Sequence, residues 1–212
     1  MLYQWGRKDG FPGADGRMIQ ENETATTIPL YGADGGTLAE GSETGLQKVD
    51  ITTSGVLNGN TSLIYTIKNP LTFIYSLTSP QDWYTDNEIY QNDVLWDSKG
   101  TKSVLDPCPG EWRTAMDAEH TYGDFSMETM STSSSNYTAQ TGRTYSNMAW
   151  FPASGYRRVV SGGLNSVGNI GYYWSASVSS TRVIFMHFTM NDVVPSSTCS
   201  RAYGFSVRCV QE

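Results

Sequence analysis

The sequence predicts an α+β fold in which short helices among loops are followed by a C-terminal antiparallel sheet. Three observations carry that expectation. Aromatic and apolar segments recur at strand length after Trp150, residues 114 to 125 read as a helix, and glycine, which totals 21, cuts the chain into short pieces. With 212 residues, 38% of them hydrophobic and 12% aromatic, the chain can bury a substantial core. Net charge is −7 and the Lys and Arg residues are scattered, so no basic face is available to a phosphate backbone and nucleic acid is not an expected partner. The longest apolar runs are strand-sized, which argues against direct membrane insertion. The start "MLYQWGRKDG" places Trp5, Arg7, Lys8 and Asp9 where a signal peptide would be apolar, so any export signal or anchor is expected outside this chain.

The elements are justified in chain order. Residues 9 to 16, "DGFPGADG", form a turn-dense loop that lacks the D-x-D-x-D-G spacing of a calcium loop. Residues 32 to 62 read as loops and weak strands. The run "SLIYTIKNPLTFIYSL", broken by Pro70, is compatible with a buried strand or a short helix. In "TAMDAEHTYGDF", Thr114 is placed to cap a helix, Asp117 stands three residues on, and Gly123 can close the end. His120 falls on that helix. Residues 126 to 148 are polar and low in complexity, and are expected as a mobile surface loop.

From Trp150 onward, "AWFPASGYRRVV", "GNIGYYWSASV", "RVIFMHFTM" and "AYGFSVRCV" read as strands of one antiparallel sheet, with Trp150, Tyr172, Trp174, Phe188, Phe205 and Val207 in one core. In "RVIFMHFTMND", Ile184, Met186, Phe188 and Met190 alternate as a buried face. The other face carries the chemically unrelated Phe185, His187, Thr189 and Asn191. Cys209 alternates with the inward set of the last strand, and Cys108 lies between two prolines in a rigid turn. Those two are expected to be bonded, or else to stay as two buried thiols, with Cys199 left over.

No H-E-x-x-H, Walker loop, G-x-G-x-x-G or G-x-S-x-G is present, and the cysteines lack zinc-like spacing. The expectation is no catalytic residue, no metal site and no cofactor. His120 reads as a packing or surface histidine, since no titratable partner is positioned for it by the sequence.

Six blocks, "YQWGRKDGFPG", "IKNPLTFI", "LWDSKGTKSVLDPCPGEWR", "FPASGYR", "GYYWSAS" and "GFSVRCV", in this order resemble the signature blocks of the Fibrobacter succinogenes major paralogous domain family. They span nearly the whole chain. The resemblance implies a single C-type lectin-like domain over residues 1–212, similar also to formylglycine-generating-enzyme-like domains, with the chain ends brought together. It differs from the family in beginning inside the tryptophan block, where the family has a further strand upstream, and in following Trp112-Arg113 with Thr114, Ala115 and Met116.

Members are found in secreted or surface proteins of gut Bacteroidetes, and such domains are recurrent targets of diversity-generating retroelements. The resemblance therefore implies a binding or adhesion module with a variable ligand-binding region at 177–203, on a bacterial surface or a phage particle. Its expected ligand-binding residues are Ser179, Ser180, Thr181, Arg182, Phe185, His187, Thr189, Asn191, Asp192, Ser196, Ser197, Thr198, Ser200 and Tyr203, mostly types reachable from AAC codons by adenine substitution. The expected partner is a protein or glycan on a cell or phage surface, met by a monomer. Two other classes are open: a formylglycine-type oxidase using Cys199 and Cys209, and a calcium-dependent sugar binder, of whose Trp-Asn-Asp ligand motif "MND" at 190 to 192 is an echo.

Overall fold

The computed structural model describes residues 1–14, 27–98, 100–116, 118–132, 142–146 and 149–212. The first strands are β1 (Leu2–Gln4), β2 (Gly10–Phe11), β3 (Leu30–Tyr31), β4 (Thr37–Leu38) and β5 (Gln47–Asp50). Helix α1 (Leu63–Lys68) precedes β6 (Thr72–Tyr75), so the apolar run around Pro70 is a short helix followed by a strand. Then come β7 (Asp97–Ser98), β8 (Thr101–Lys102), β9 (Trp112–Thr114), α2 (Ala118–Tyr122), β10 (Met130–Thr132), β11 (Gly142–Tyr145) and β12 (Ala149–Pro152). The last third holds β13 (Tyr156–Arg157), β14 (Leu164–Asn165), β15 (Gly171–Ser179), β16 (Arg182–Phe188), β17 (Val193–Cys199), β18 (Gly204–Phe205) and β19 (Cys209–Gln211).

This architecture corrects the α+β, C-type lectin-like expectation. The protein is mostly β, 39% strand against 7% helix, with two short α-helices and several small sheets. The predicted helix over 114–125 is reduced to α2, because Thr114 is not its cap. It is the last residue of β9, pairs with Cys209 of β19, and donates its backbone N–H to Asp106 Oδ2 at 2.9 Å. A long-range strand partner has overridden a local capping signal. No helix among the described residues is long and apolar enough to cross a membrane.

Of the four segments expected in one C-terminal antiparallel sheet only two pair with each other, as β15 and β16 of β15-β16-β17; β12 joins β10-β11, β13 and β18 lie in a five-stranded sheet β14-β13-β18-β1-β2, and β19 pairs with β9, because partners distant in sequence claim them. β1 lies between β18 and β2, with Tyr3 opposite both Phe205 and Gly10, so the N-terminal strand joins a late one. The polar stretch 126–148 is not simply a loop. Its flanks are β10 and β11, which pair with each other and with β12, while 133–141 lies outside the described residues. Arg143 of β11 is buried and donates to the carbonyls of Thr189 (2.9 Å), Met190 (2.6 Å) and Met130. Three backbone acceptors thereby receive a charge-assisted partner inside the protein.

β16 has two packed faces. Val183 and Phe185 enter a core with Trp5, Trp96, Trp174 and Phe205, while Met186 and Phe188 enter another with Phe125, Phe151 and Tyr173. The expected single core is thus two, one on each side of the C-terminal sheet. Trp150 belongs to neither, being 40% exposed, because its neighbour Phe151 takes the inward position on β12.

Five of the six sequence blocks are tied to one another by the hydrogen bonds of Gln4, Trp5, Arg7 and Trp174 or by the disulfide. Buried Gln4 donates to the carbonyls of Ile74 (2.7 Å) and Ala202 (3.0 Å), and buried Arg7 to that of Thr72 (2.7 Å). Trp5 Nε1 donates to the Ser175 carbonyl at 2.9 Å, and Trp174 Nε1 returns to that of Tyr3 at 2.7 Å. The Cys108–Cys209 disulfide closes the set, with Cα atoms 5.7 Å apart and a sequence separation of 101. Cys199 is free and buried.

Candidate functional site

Seven rings from four strands and one loop gather on the Phe185 side of β16. Phe205 of β18 is their centre, stacked at 4.2 Å on Trp174, 4.7 Å on Tyr172 and 5.4 Å on Tyr203. Phe185 lies 5.1 Å from Phe205, and His187 stacks 5.9 Å from Tyr172. Tyr156 of β13 turns its ring edge-on to Tyr172 at 5.0 Å and Tyr203 at 5.7 Å. Phe205 and Trp174 are buried, whereas Tyr156, Tyr172 and Tyr203 are only half-buried.

The half-buried rings open into a cavity of about 250 Å³ lined by Tyr156, Tyr172, Phe185, Tyr203 and Phe205, with Gln81, Arg182, Cys199 and Ser200 as its polar side. A second compartment of about 310 Å³ adds Ser79, Pro80, Glu88 and Thr181, and shares Gln81, Arg182 and Ser200 with the first. The two form one groove with an aromatic end and a polar end.

Its dividing residues are fixed. Gln81 has a φ of 55°, a conformation side chains rarely adopt, held by Ala202 N donating to its carbonyl at 3.0 Å and Ser200 Oγ to its Oε1 at 3.2 Å. Arg182, exposed at the β15–β16 turn, donates through Nη2 to the Thr198 carbonyl at 3.1 Å.

Burial holds the Tyr172 hydroxyl well above the usual phenol range, reinforced by Tyr156 and Tyr203. Tyr203 is raised for the same first reason, with Arg158 and Arg182 opposing. Both hydroxyls remain protonated donors at neutral pH. Burial pushes the Cys199 thiol far up, making it a neutral part of the wall rather than a nucleophile.

His187 is half-buried, and its Nδ1 finds no hydrogen-bond partner among the described residues. Burial lowers its pKa, while Asp192 partly opposes this. The unfolded chain therefore takes the proton first as pH falls. The stability His187 contributes is complete above the unfolded value of about 6.5 and is lost as pH drops toward the folded one. Urea titrations from about pH 7.5 to about pH 5 should show wild type losing more stability than His187→Gln. Equal losses would mean that His187 titrates as it does in the unfolded chain.

The structure divides the expected ligand-binding residues. Ser179, Ser180, Thr181 and Arg182 form the β15–β16 turn at the groove end of the sheet, and Ser197 pairs with Phe185 on the groove side. Ser200 and Tyr203 line the groove. Phe185 and Ser200 are each only 7% exposed, a correction to their placement on an open surface. Thr198 pairs with Ile184 and so projects to the opposite face, while Ser196 lies where the β16–β17 register shifts. Thr189, Asn191 and Asp192 lie at the other end of β16, roughly 20 Å away along the strand. The expected single patch is therefore not formed.

His120 is exposed on α2 and lines neither compartment. Tyr156, Tyr172, Phe205 and Gln81 are groove residues that the sequence reading left out. The three aromatic ones stand in blocks that read as scaffold, and Gln81 carries no local signal beyond following Pro80.

Cys209 is bonded to Cys108, so the Cys199–Cys209 pair required by the oxidase reading is not assembled. Among the described residues no group of three or more His, Cys, Asp or Glu side chains is placed to hold a metal ion. No family model, no curated protein and no solved structure matches the chain.

Proposed function

We propose that the protein is a ligand-binding, adhesion-type module whose site is the aromatic groove. The observation that carries this reading is the convergence of Tyr156, Tyr172, Phe185, Tyr203 and Phe205 on an open cavity with a fixed polar side of Gln81, Arg182 and Ser200. Tyrosines are economical contact residues, large and rigid with one polar tip, and they dominate binding energy where they line a pocket. A partner that is a protein or glycan on a cell or phage surface suits this chemistry. The disulfide supports maturation in an oxidising compartment, hence an extracellular or surface location.

The groove end of the sheet also gives a diversified surface a place to act. Ser179, Ser180, Thr181, Arg182, Ser197, Ser200 and Tyr203 surround or line it, and of these Tyr203 alone packs against one of the two hydrophobic cores. With the six-block resemblance, this supports a diversity-generating retroelement variable protein of a gut Bacteroidetes or its phage, varying around the groove rather than over all of 177–203.

Glycan and protein arrays probed with the full chain test the site. A captured ligand should lose about tenfold or more in affinity with Tyr203→Ala, a change of about 1.4 kcal/mol or greater, and almost nothing with Asn191→Ala. Capture that survives Tyr203→Ala and disappears with Asn191→Ala would move the site to the far turn.

A further inference from the structure

Resting on the groove as the binding site, the charge around it narrows the ligand. The chain is acidic overall, with a net charge of −7, yet of the three residues common to both compartments, Gln81, Arg182 and Ser200, the charged one is Arg182. Its guanidinium makes one backbone bond, from Nη2 to Thr198, and as an exposed side chain it has further N–H groups to offer. Arg158 acts on Tyr203 in the same electrostatic sense as Arg182, so a second positive charge is felt at the aromatic end. Among the described residues the one carboxylate lining the groove, Glu88, sits in the polar compartment and accepts from Ser79 Oγ at 3.2 Å.

A cationic ligand, which bare aromatic walls would otherwise attract, is repelled by this arrangement. An anion is favoured, provided that its body is flat or has an apolar face to lie against the tyrosines. The aromatic compartment, about 250 Å³, has room for one six-membered ring with its substituents. A planar carboxylate matches the fork of a guanidinium. The Tyr172 and Tyr203 hydroxyls and Ser200 Oγ supply neutral polar contacts around the ring.

We infer that the groove takes a six-membered ring bearing a carboxylate, with the ring among Tyr156, Tyr172 and Tyr203 and the carboxylate on Arg182. A hexuronic acid residue of a glycan and a free aromatic carboxylate share this chemistry.

The test is a ¹⁵N NMR titration of the full chain with D-glucuronate, 4-hydroxybenzoate, D-glucose and D-glucose 6-phosphate. One of the two carboxylates should shift the amides of Tyr172, Phe185, Ser200 and Tyr203, and the stronger of the two identifies the source. Glucose should bind at least about tenfold more weakly, the worth of a charge-assisted pair. Arg182→Gln should abolish this preference, and Arg182→Lys should restore part of it. Binding of glucose as tightly as glucuronate, tighter binding of the phosphate ester, or an acid preference that survives Arg182→Gln would each overturn the assignment. If neither carboxylate shifts the groove while an array ligand still depends on Tyr203, the ligand class is wrong and the site stands. If no array ligand depends on Tyr203 either, the site itself is wrong.

Discussion

Replacing Cys108 and Cys209 together by serine is expected to destabilise the protein by about 4.7 kcal/mol, the chain-entropy value for a loop of this length. The bond joins positions 101 residues apart and so removes much of the freedom of the unfolded chain. It also fastens the last strand, since Cys209 pairs with Thr114 across β9 and β19. For a chain of this size the loss corresponds to a fall of roughly 10–20 °C in melting temperature. Reductant should reproduce most of the fall in wild type and add little in the double variant. Cys199→Ala should leave the disulfide intact on non-reducing peptide mapping. A double variant melting within a few degrees of wild type would show that β9 and β19 are held by their pairing alone.

The disulfide and the strands around it were legible because their signals are local. Cys108 between two prolines reads as a rigid turn, and the period of two in "GFSVRCV" brings Cys209 to the inner side. The β15–β16 hairpin is similarly written in its aromatic alternation. Other features depended on partners distant in sequence. Thr114 looks like a helix cap until the chain end arrives to pair with β9, which is why helix content was overestimated and the α+β class failed. Trp150 and Phe151 are adjacent, and a one-residue choice of register decides which of them is buried. Alternation identified the two faces of β16 but not their surroundings, and with a core on each side Phe185 is packed where an open surface was expected. The groove needed three separate chain regions, at Gln81, Tyr156 and Tyr203, and no spacing in the sequence joins them.

The largest single-residue effect is expected at Trp174, where substitution by alanine should cost about 3–5 kcal/mol. The indole is fully buried, stacks on Phe205 at 4.2 Å, meets Phe185 edge-on at 6.3 Å, and donates to the Tyr3 carbonyl at 2.7 Å. Its removal leaves a cavity beneath the ring on which Tyr172 and Tyr203 stack, and orphans an acceptor on β1. Trp174→Phe should separate these contributions, keeping most of the ring contact while losing the hydrogen bond, at a cost of about 1–3 kcal/mol. Trp150→Ala is the matched comparison, because the same chemical truncation at a 40% exposed site should cost much less. Because Phe205 carries the groove tyrosines, Trp174→Ala should also weaken ligand capture under conditions where the variant is still folded. Chemical denaturation of the three variants, followed by circular dichroism, measures the stability terms. Equal costs at Trp174 and Trp150 would contradict the burial that distinguishes them, and unchanged capture by folded Trp174→Ala would detach the groove from the core beneath it.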